Sequence, residues 1–351
     1  MEKKTVTKKE MRSIIASLPK AEIHLHLEGV ASVNTIWQLK QKHNLLFEGI
    51  SSKEDLYNRF KVNTLNEFID LFINVVQNSF QKEEDILLLI EDARNYLKRN
   101  NIVYTEIFFA PSKFVRNGFS FEKIVEILDE GAQKLAREDN LNIRYIMDVS
   151  RTFGPENAMR NLDLTIKNKK ESIIGIGLGG AENKGPAQEY KEVFEKARAE
   201  GLHTVAHAGE DVGPESIWHA IEDLQIERIG HGISAIQDAK LQDLLVKKQI
   251  PLEICPKSNL ITGRYVKVYK DHPIKAFYDK GINVTLNTDD PTIFGAELVD
   301  EYFNLLSENI FSFRELVQIL KNTIYATFLS KAEQDSIWKK VLPSLSNIGD
   351  N

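Results

Sequence analysis

Eight short stretches of the chain are continuously aliphatic or β-branched, and each ends in polar, histidine, glycine or acidic residues. Runs of this kind have no polar face for solvent, so they predict strands that are buried on both sides. The segments between them repeat their apolar residues with helical spacing, for example at 121–136, 187–200, 214–224 and 239–248. The eight predicted strands are 22–27, 102–109, 143–149, 173–178, 203–207, 228–230, 251–254 and 283–287.

Eight buried strands that alternate with helices predict a closed parallel barrel, an α/β fold of the (β/α)8 or TIM type. We expect one domain, residues 1–351, to hold all eight strands. The insert between the first two strands, at about 31–100, has several helical patterns and is expected to supply a helical lid; a further helix is expected near the C-terminus. Leu65, Phe68, Ile69 and Phe72 form an apolar stripe in this insert, which we interpret as core packing, with a substrate-covering role as the alternative.

Composition limits the classes of protein to which the chain can belong. Hydrophobic residues make up 42% and charged residues 27% of its 351 residues. No apolar run approaches the roughly 18 to 20 residues of a membrane helix, and the Lys-rich first twenty residues lack a signal-peptide core. We therefore expect a cytoplasmic protein with no membrane partner. The net charge of −6, with scattered basic residues, argues against nucleic acid as a partner.

The polar residues at the strand ends point to a metal site. His24 and His26 lie two residues apart in the first strand, so both side chains can turn to the same face. Further candidates follow the fifth, sixth and eighth strands, and the carboxyl ends of barrel strands meet at one face. They are His207, His231, Asp289 and Asp290. Imidazole and carboxylate ligands without thiolate favour zinc with one position open for water, and leave iron, cobalt and manganese as alternatives.

The remaining histidines and the cysteine receive no catalytic role. His43, His219 and His272 lie in helical or connecting segments, where we expect surface or capping roles, and His203 begins its strand at the opposite end of the barrel. Cys255 is the only cysteine, which excludes an intramolecular disulfide and any paired-cysteine zinc site. We expect it to be a small buried residue of a strand.

Six short motifs carry a resemblance to a known family over nearly the whole chain. They are Leu-Pro-Lys-Ala-Glu-Ile-His-Leu-His-Leu-Glu-Gly at 18–29, Gly-Leu-Gly-Gly-Ala-Glu at 177–182, His-Ala-Gly-Glu at 207–210, Arg-Ile-Gly-His-Gly at 228–232, Cys-Pro-Lys-Ser-Asn at 255–259 and Asn-Thr-Asp-Asp-Pro at 287–291. In this order and at these strand ends, they resemble the adenosine deaminase family of the amidohydrolase barrels.

The resemblance implies one zinc ion per chain and a role for each residue of the site. Glu210 is expected to protonate ring N1 of a purine, and His231 to orient the attacking water and take its proton. Asp290 is expected to hydrogen-bond purine N7 or the water. The backbone N–H of Gly180 is expected to approach purine N3. The implied zinc ligands are His24, His26, His207 and Asp289, and the implied substrate-binding residues are His26, Glu28, Gly180 and Asp290.

The implied substrate is a small purine nucleoside, with adenosine and 2′-deoxyadenosine converted to inosine and ammonia in purine salvage. Many adenosine deaminases have Asp where this chain has Glu28, and Glu also occurs there in adenine deaminases. Adenine deaminases, however, usually have Asp where this chain has Gly230. A third reading is a deaminase of an adenosine with a bulky, acidic 5′ group, such as aminodeoxyfutalosine, for which Arg264 could pair with the carboxylate.

Two other classes of function fit the sequence less well. A binuclear amidohydrolase usually carries a metal-bridging lysine on its fourth strand, and residues 173–180 contain no lysine. A non-catalytic, metal-binding relative should have lost a ligand or the acid, whereas this chain retains all of them. The sequence leaves the oligomeric state open.

Overall fold

The strands of this protein form one parallel sheet in the order β1-β2-β3-β4-β5-β6-β7-β8. They are β1 Lys20–His26, β2 Ile102–Phe109, β3 Asn142–Asp148, β4 Ile173–Leu178, β5 His203–Ala208, β6 Arg228–His231, β7 Leu252–Ile254 and β8 Val284–Leu286. The computed structural model describes residues 7–262 and 264–346. Every strand end lies within two residues of its predicted position, which confirms the eight predicted strands.

The sheet closes into a barrel between its first and last strands. Beyond β8, the backbone N–H of His26 donates to the Asp289 carbonyl at 2.9 Å, and the N–H of Asp289 donates to the His24 carbonyl at 3.1 Å. The side chain of Asn287 adds to this seam, because its Oδ1 accepts from the N–H of Ile23 at 3.0 Å. The predicted (β/α)8 fold is confirmed, and candidate metal ligands themselves make the closing contacts.

Helices surround the barrel and cover the apolar outer faces of its strands. The helices outside the long insert are α1 Lys8–Ser17, α6 Pro111–Arg116, α7 Phe121–Asp139, α8 Gly154–Lys167, α9 Lys191–Ala199, α10 Pro214–Glu222, α11 Ala239–Lys248, α12 Pro256–Thr262, α13 Ile274–Lys280, α14 Pro291–Phe294, α15 Leu298–Ser307, α16 Phe313–Ala326 and α17 Lys331–Ser346. Local signals set their ends: α11 begins where Asp238 accepts from two backbone N–H groups and ends at Gln249 in the left-handed region. No helix in the described ranges is long and apolar enough to cross a membrane.

The insert after β1 is helical, as predicted, and contains one irregular segment. Its helices are α2 Val33–Lys42, α3 Lys53–Arg59, α4 Leu65–Asp70 and α5 Ile86–Asn100. A wider π-helical stretch, Leu71–Gln77, follows α4 directly, so the continuous helix expected over 65–80 is interrupted. Such stretches often occur at functional sites. Here the stretch ends at Gln77, whose side chain donates to Glu28 Oε1 at 3.1 Å.

Part of the barrel interior beneath its C-terminal mouth is apolar. Phe108, Ile146 and Val205 form a small buried cluster of their own. The ring of Phe108 stacks on that of His26, with centroids 5.1 Å apart and an angle of 24° between the planes. The histidines at the mouth therefore rest on a rigid apolar floor, which limits their rotation.

Candidate metal centre and active site

Four side chains converge at the C-terminal end of the barrel with their ligand atoms all within 4.8 Å of one another. They are His24 and His26 of β1, His207 of β5 and Asp289 beyond β8. His26 Nε2 lies 3.2 Å from both Asp289 Oδ1 and His207 Nε2, and His24 Nε2 lies 3.4 Å from Asp289 Oδ1. All four are buried. The structure thus brings together the ligand set that the resemblance implies.

The hydrogen bonds behind these ligands leave their inner atoms free for a cation. Glu253 Oε2 lies 2.7 Å from His24 Nδ1, so Nδ1 carries a proton, and the buried Nε2, which has no hydrogen-bond partner among the described residues, is the atom left for a cation or a second proton. Asp289 Oδ2 accepts from Ser258 Oγ at 2.7 Å, which directs Oδ1 towards the histidines. Burial lowers the pKa of His24, but Asp289 and Glu253 outweigh it and raise the pKa to about 9. The cluster therefore favours a positive charge, and three imidazoles with one carboxylate fit zinc.

A buried ion-pair network supports His24 from below. Arg228 Nε lies 2.6 Å from Glu253 Oε1, and Arg228 Nη1 lies 2.5 Å from Glu106 Oε2. All three side chains are at most 1% exposed. Sequence reasoning missed this network, although charged residues inside otherwise hydrophobic strands are a recognisable signal, since buried charges need partners.

Glu210 and His231 lie beside the metal cluster. His231 Nε2 is 3.5 Å from Glu210 Oε2 and 3.8 Å from Asp289 Oδ2. Burial raises the pKa of Glu210 well above its usual range, and the carboxylates of Asp289 and Glu182 raise it further. This direction favours the protonated carboxylic acid, which can donate a proton.

Glu182 fixes the loop that carries Glu210. Its two carboxylate oxygens accept from the backbone N–H groups of Gly209 and Glu210, each at 2.8 Å, and from Asp211 at 3.3 Å. Its Oε2 also accepts from Ser216 Oγ at 2.5 Å. Residues 177–182 belong to one of the six motifs, yet the sequence alone did not reveal this loop-holding contact.

A chain of hydrogen bonds determines the tautomer of His231. The N–H of Ile274 donates to His272 Nδ1 at 3.1 Å, which places the His272 proton on Nε2, 3.2 Å from Asn259 Oδ1. The Asn259 amide therefore presents its N–H to His231 Nδ1 at 3.1 Å. Burial lowers the pKa values of His231 and His272 to about 3, so both are neutral. The proton of His231 must then lie on Nε2, facing Glu210.

The other histidines match the surface, capping or opposite-end positions predicted for them to different degrees. His43 lies 2.8 Å from Asp85 and His219 lies 2.9 Å from Asp223, both outside the site, and His203 begins β5 at the far end of the barrel. His272 is 4% exposed, so the expected surface role is wrong for it. Its contribution to the cap of α13 through Ile274 is present, but its second nitrogen connects it to the site.

Asp290 and Gly29 pack directly against each other. A β-carbon on Gly29 would lie 2.1 Å from Asp290 Oδ1, so this position in the Glu-Gly pair requires glycine. Asp290 is 1% exposed and lines the pocket, and its Oδ1 has no hydrogen-bond partner among the described residues. Burial raises the pKa of Asp290 well above its usual range, and Asp289 and Glu28 raise it further.

The structure does not place Glu28 in the lining of the pocket. The carboxylate is fully buried behind it, where Oε1 accepts from Gln77 Nε2 and from the Ala110 N–H, each at 3.1 Å. Burial raises its pKa to about 7. The substrate-binding role that the resemblance implies for Glu28 stays a prediction: Gln77 and the Ala110 N–H occupy Oε1, and the buried Oε2 has no hydrogen-bond partner among the described residues.

The pocket above the cluster has a volume of about 840 Å³, counting the space that opens to solvent. One wall is apolar and comes from the insert and α14. Its residues are Leu65, Phe68, Ile69, Phe72, Ile73 and Phe294. Phe68 and Phe72 of this stripe pack against the core, as interpreted, and the whole stripe also lines the pocket, so the substrate-covering role stays a prediction. Tyr57, by contrast, is 58% exposed and lies outside the lining.

The polar lining of the pocket carries acids and histidines. Among the described residues it includes Asp148, which sequence reasoning missed, and Gly180, whose φ of +93° favours glycine, and it includes no Lys or Arg. Arg264 is exposed and donates to the carbonyl of Asp211, a lining residue. The cation considered for a 5′ carboxylate thus lies next to the pocket but outside its lining. Cys255 is buried, as expected.

Comparison with known proteins gives a consistent picture. The sequence profile of the family described as adenosine deaminase matches residues 19–343. The chain is 35% identical over 332 residues to an adenine deaminase of Crocosphaera subtropica, covering 93% of this chain and 99% of that protein. It is 34% identical over 328 residues to an aminodeoxyfutalosine deaminase of Streptomyces avermitilis, covering 93% and 91%. The crystal structure of an adenine deaminase from Arthrobacter aurescens superimposes with a TM-score of 0.88 at 28% identity, covering 94% of this chain and all of that one.

Proposed function

Since the chain belongs to the adenosine deaminase family and is a hydrolytic deaminase acting on a C–N bond, we propose that it converts adenosine to inosine and ammonia with one bound zinc ion. One observation carries this proposal: Glu210, an acid with a raised pKa, stands beside a three-histidine, one-aspartate cluster at the floor of a pocket without cationic lining residues. The proposed ligands are His24, His26, His207 and Asp289.

When bound, zinc supplies a water whose pKa is lowered towards about 7. Glu210 donates its proton to ring N1 as the oxygen adds to C6, which gives the ring electrons a place to go. The amino group then leaves as ammonia with one proton of the water, and the other proton restores Glu210. His231 presents an Nε2–H to the added oxygen and orients it, and this donor role replaces the proton-accepting role expected from the sequence. Asp290, protonated by its surroundings, can donate to purine N7.

The pocket favours a neutral nucleoside over a nucleotide. A phosphate would enter a lining with five carboxyl side chains and no Lys or Arg among the described residues, so AMP should be a poor substrate. A β-carbon on Gly230 would lie 2.8 Å from His24 Cε1, so the Asp that is usual in adenine deaminases would not fit here without displacing a ligand.

A second candidate is an adenosine extended at its 5′ position. The 34% identity to an aminodeoxyfutalosine deaminase and the open, partly apolar pocket favour it. Arg264 lies next to the pocket through its contact with Asp211 and could reach a terminal carboxylate.

A parallel assay of zinc-loaded protein tests the proposal. We expect adenosine or the 5′-extended nucleoside to have the highest kcat/KM in a panel that also holds 2′-deoxyadenosine, adenine and AMP. If adenine is the best substrate, the nucleoside assignment is wrong while the deaminase chemistry stands. If the extended nucleoside wins and Arg264→Ala removes only that advantage, the second candidate replaces the first.

Glu210→Gln provides the chemical control for this assay. The amide is nearly isosteric but cannot give a proton to N1, so kcat should fall by roughly 10²- to 10⁴-fold with zinc content unchanged. A loss of less than about tenfold would contradict the acid role.

A further inference from the structure

Two carboxylates of the pocket, Asp148 and Asp211, have no part in the chemistry proposed above, and Asp148 is the more buried of the two. Asp148 is the last residue of β3, lines the pocket and is only 5% exposed. Its Oδ1 accepts from the backbone N–H groups of Ser150 at 2.7 Å and Gly179 at 3.1 Å. These two bonds fix the plane of the carboxylate and leave Oδ2 available to whatever occupies the pocket.

The backbone around the Asp148 carboxylate has an unfavourable conformation at one residue and a close contact at another. Ser150 has a φ of +54°, which a residue with a side chain seldom adopts. Position 179 requires glycine, because a β-carbon there would lie 2.4 Å from Asp148 Oδ2. Strain of this kind at a pocket wall is common where a group is held ready for a ligand.

We propose that Asp148 is a specificity-determining residue that accepts a hydrogen bond from a sugar hydroxyl of the nucleoside substrate. The inference rests on the proposed function and on the expectation, implied by the family resemblance, that the N–H of Gly180 approaches purine N3. Gly180 follows Gly179, whose N–H is bound to Asp148. Purine N3 and the sugar-bearing N9 are both attached to C4, so a residue next to Gly180 lies on the sugar side of the ring.

Because carboxyl groups line the pocket, we expect the hydrogen-bond donor to Asp148 to be a neutral group of the substrate. Glu210 and Asp290 are assigned to N1 and N7, and the 6-amino group lies at the reacting carbon. The hydroxyls of the sugar are the remaining donors of an adenosine. A buried acceptor built for such a hydroxyl rejects analogues that lack it, because its own hydrogen bond is then left unmade.

Asp148→Asn tests the proposal with little change in shape. The amide oxygen can still accept from Ser150 and Gly179, while an NH2 group replaces Oδ2 and turns the acceptor facing the pocket into a donor. We expect kcat/KM for adenosine to fall about 10- to 100-fold, and the dissociation constant of inosine, measured by calorimetry, to rise by a similar factor. Among 2′-, 3′- and 5′-deoxyadenosine, the analogue without the contacted hydroxyl should be turned over equally by both proteins.

Zinc content and thermal midpoint should be the same in Asp148→Asn and wild type. The matched control is Asp163→Asn, which removes a carboxylate of α8 that pairs with Lys196 on the outside of the protein, and it should leave every substrate unaffected.

Four results would overturn the inference. An equal loss for adenosine and all three deoxy analogues, or a loss of zinc, would make Asp148 a support of the metal cluster. An equal loss of kcat/KM for adenine would mean that Asp148 accepts a hydrogen bond from the ring N9–H. If the wild type deaminates none of the nucleosides, the proposed function fails first and the sugar assignment fails with it.

Discussion

The acid Glu210 and the hydrogen-bond donor His231 depend on residues that do not line the pocket. Glu182 holds the Glu210 loop through three backbone N–H groups, and Asn259 presents its amide to His231 Nδ1. In both cases a fixed hydrogen bond decides which atom faces the pocket. A carboxylic acid and an imidazole N–H are thereby both prepared as donors before substrate arrives.

Asn259→Asp should move the proton of His231 from Nε2 to Nδ1. The new carboxylate would accept from His272 Nε2–H on one oxygen and could only accept from His231 on the other. Nε2 would then lack its proton and kcat should fall by roughly 10²- to 10⁴-fold. Nitrogen NMR of ¹⁵N-histidine-labelled protein reports the tautomer directly.

His272→Gln is the control for that substitution, because its side-chain amide can still donate to Asn259 Oδ1. Its His231 signals should match those of the wild type. An Asn259→Asp protein whose His231 keeps its proton on Nε2 would show that the chain of hydrogen bonds does not select the tautomer.

At the scale of elements, the strands were the most predictable part of the molecule. Each is a short hydrophobic run whose polar end marks the barrel mouth. The sequence pattern alone therefore groups His24, His26, His207 and Asp289 at one site. The Asn259 and His272 contacts could not be predicted, because they join the end of β6, α12 and the segment before α13, which are 28 and 13 residues apart. The position of the apolar stripe at the pocket could not be predicted either, because helical spacing shows that a face is apolar without showing what covers it.

Helix α12 links two further elements to the site. It carries Ser258, which bonds Asp289, and Asn259, which bonds His231. Glu301 of α15 caps its first turn, since its Oε1 accepts from the Lys257 N–H at 2.9 Å while Oε2 accepts from Tyr269 at 3.2 Å. Burial raises the pKa of Glu301 from about 4.5 to about 8, so this cap binds a proton on folding.

Glu301→Gln should therefore change the pH dependence of stability. Between about pH 4.5 and pH 8 the folded wild type holds one proton more than the unfolded chain, so its free energy of unfolding falls as pH rises through this window. The amide removes that slope and keeps the acceptor for Lys257. The stability of the variant relative to wild type should rise by roughly 2 to 5 kcal/mol from about pH 5 to about pH 8.5.

Urea unfolding at the two pH values measures this difference. Glu308→Gln, which alters an exposed carboxylate at the end of the same helix, should show the same relative stability at both. If the stability of Glu301→Gln relative to wild type is also the same at both pH values, Glu301 is ionised in the folded protein throughout the range.

At the scale of the whole molecule, the metal cluster lies across the seam that closes the barrel. β1 and the segment after β8 are joined by backbone bonds of His24, His26 and Asp289, and the side chains of the same residues are proposed zinc ligands. Asp289 also has a φ of +68°, an unfavourable backbone conformation for a non-glycine residue. These backbone bonds, the side-chain bonds that join Asn287 and Thr288 to β1, and one strained residue thus close the barrel, and a bound cation would add to them.

Zinc removal should consequently loosen this seam before the rest of the sheet. A ligand that binds only the folded state adds about 4 kcal/mol at a thousandfold excess over its Kd, which corresponds to about 5 °C in thermal midpoint for a chain of this length. After chelation, amide exchange should accelerate at His26 and Asp289, whose N–H groups form the seam, more than at Ile146 and Ile176 in β3 and β4. Restored zinc should reverse both effects. Uniform acceleration through all eight strands, or an unchanged midpoint, would mean that the barrel closes without help from the metal.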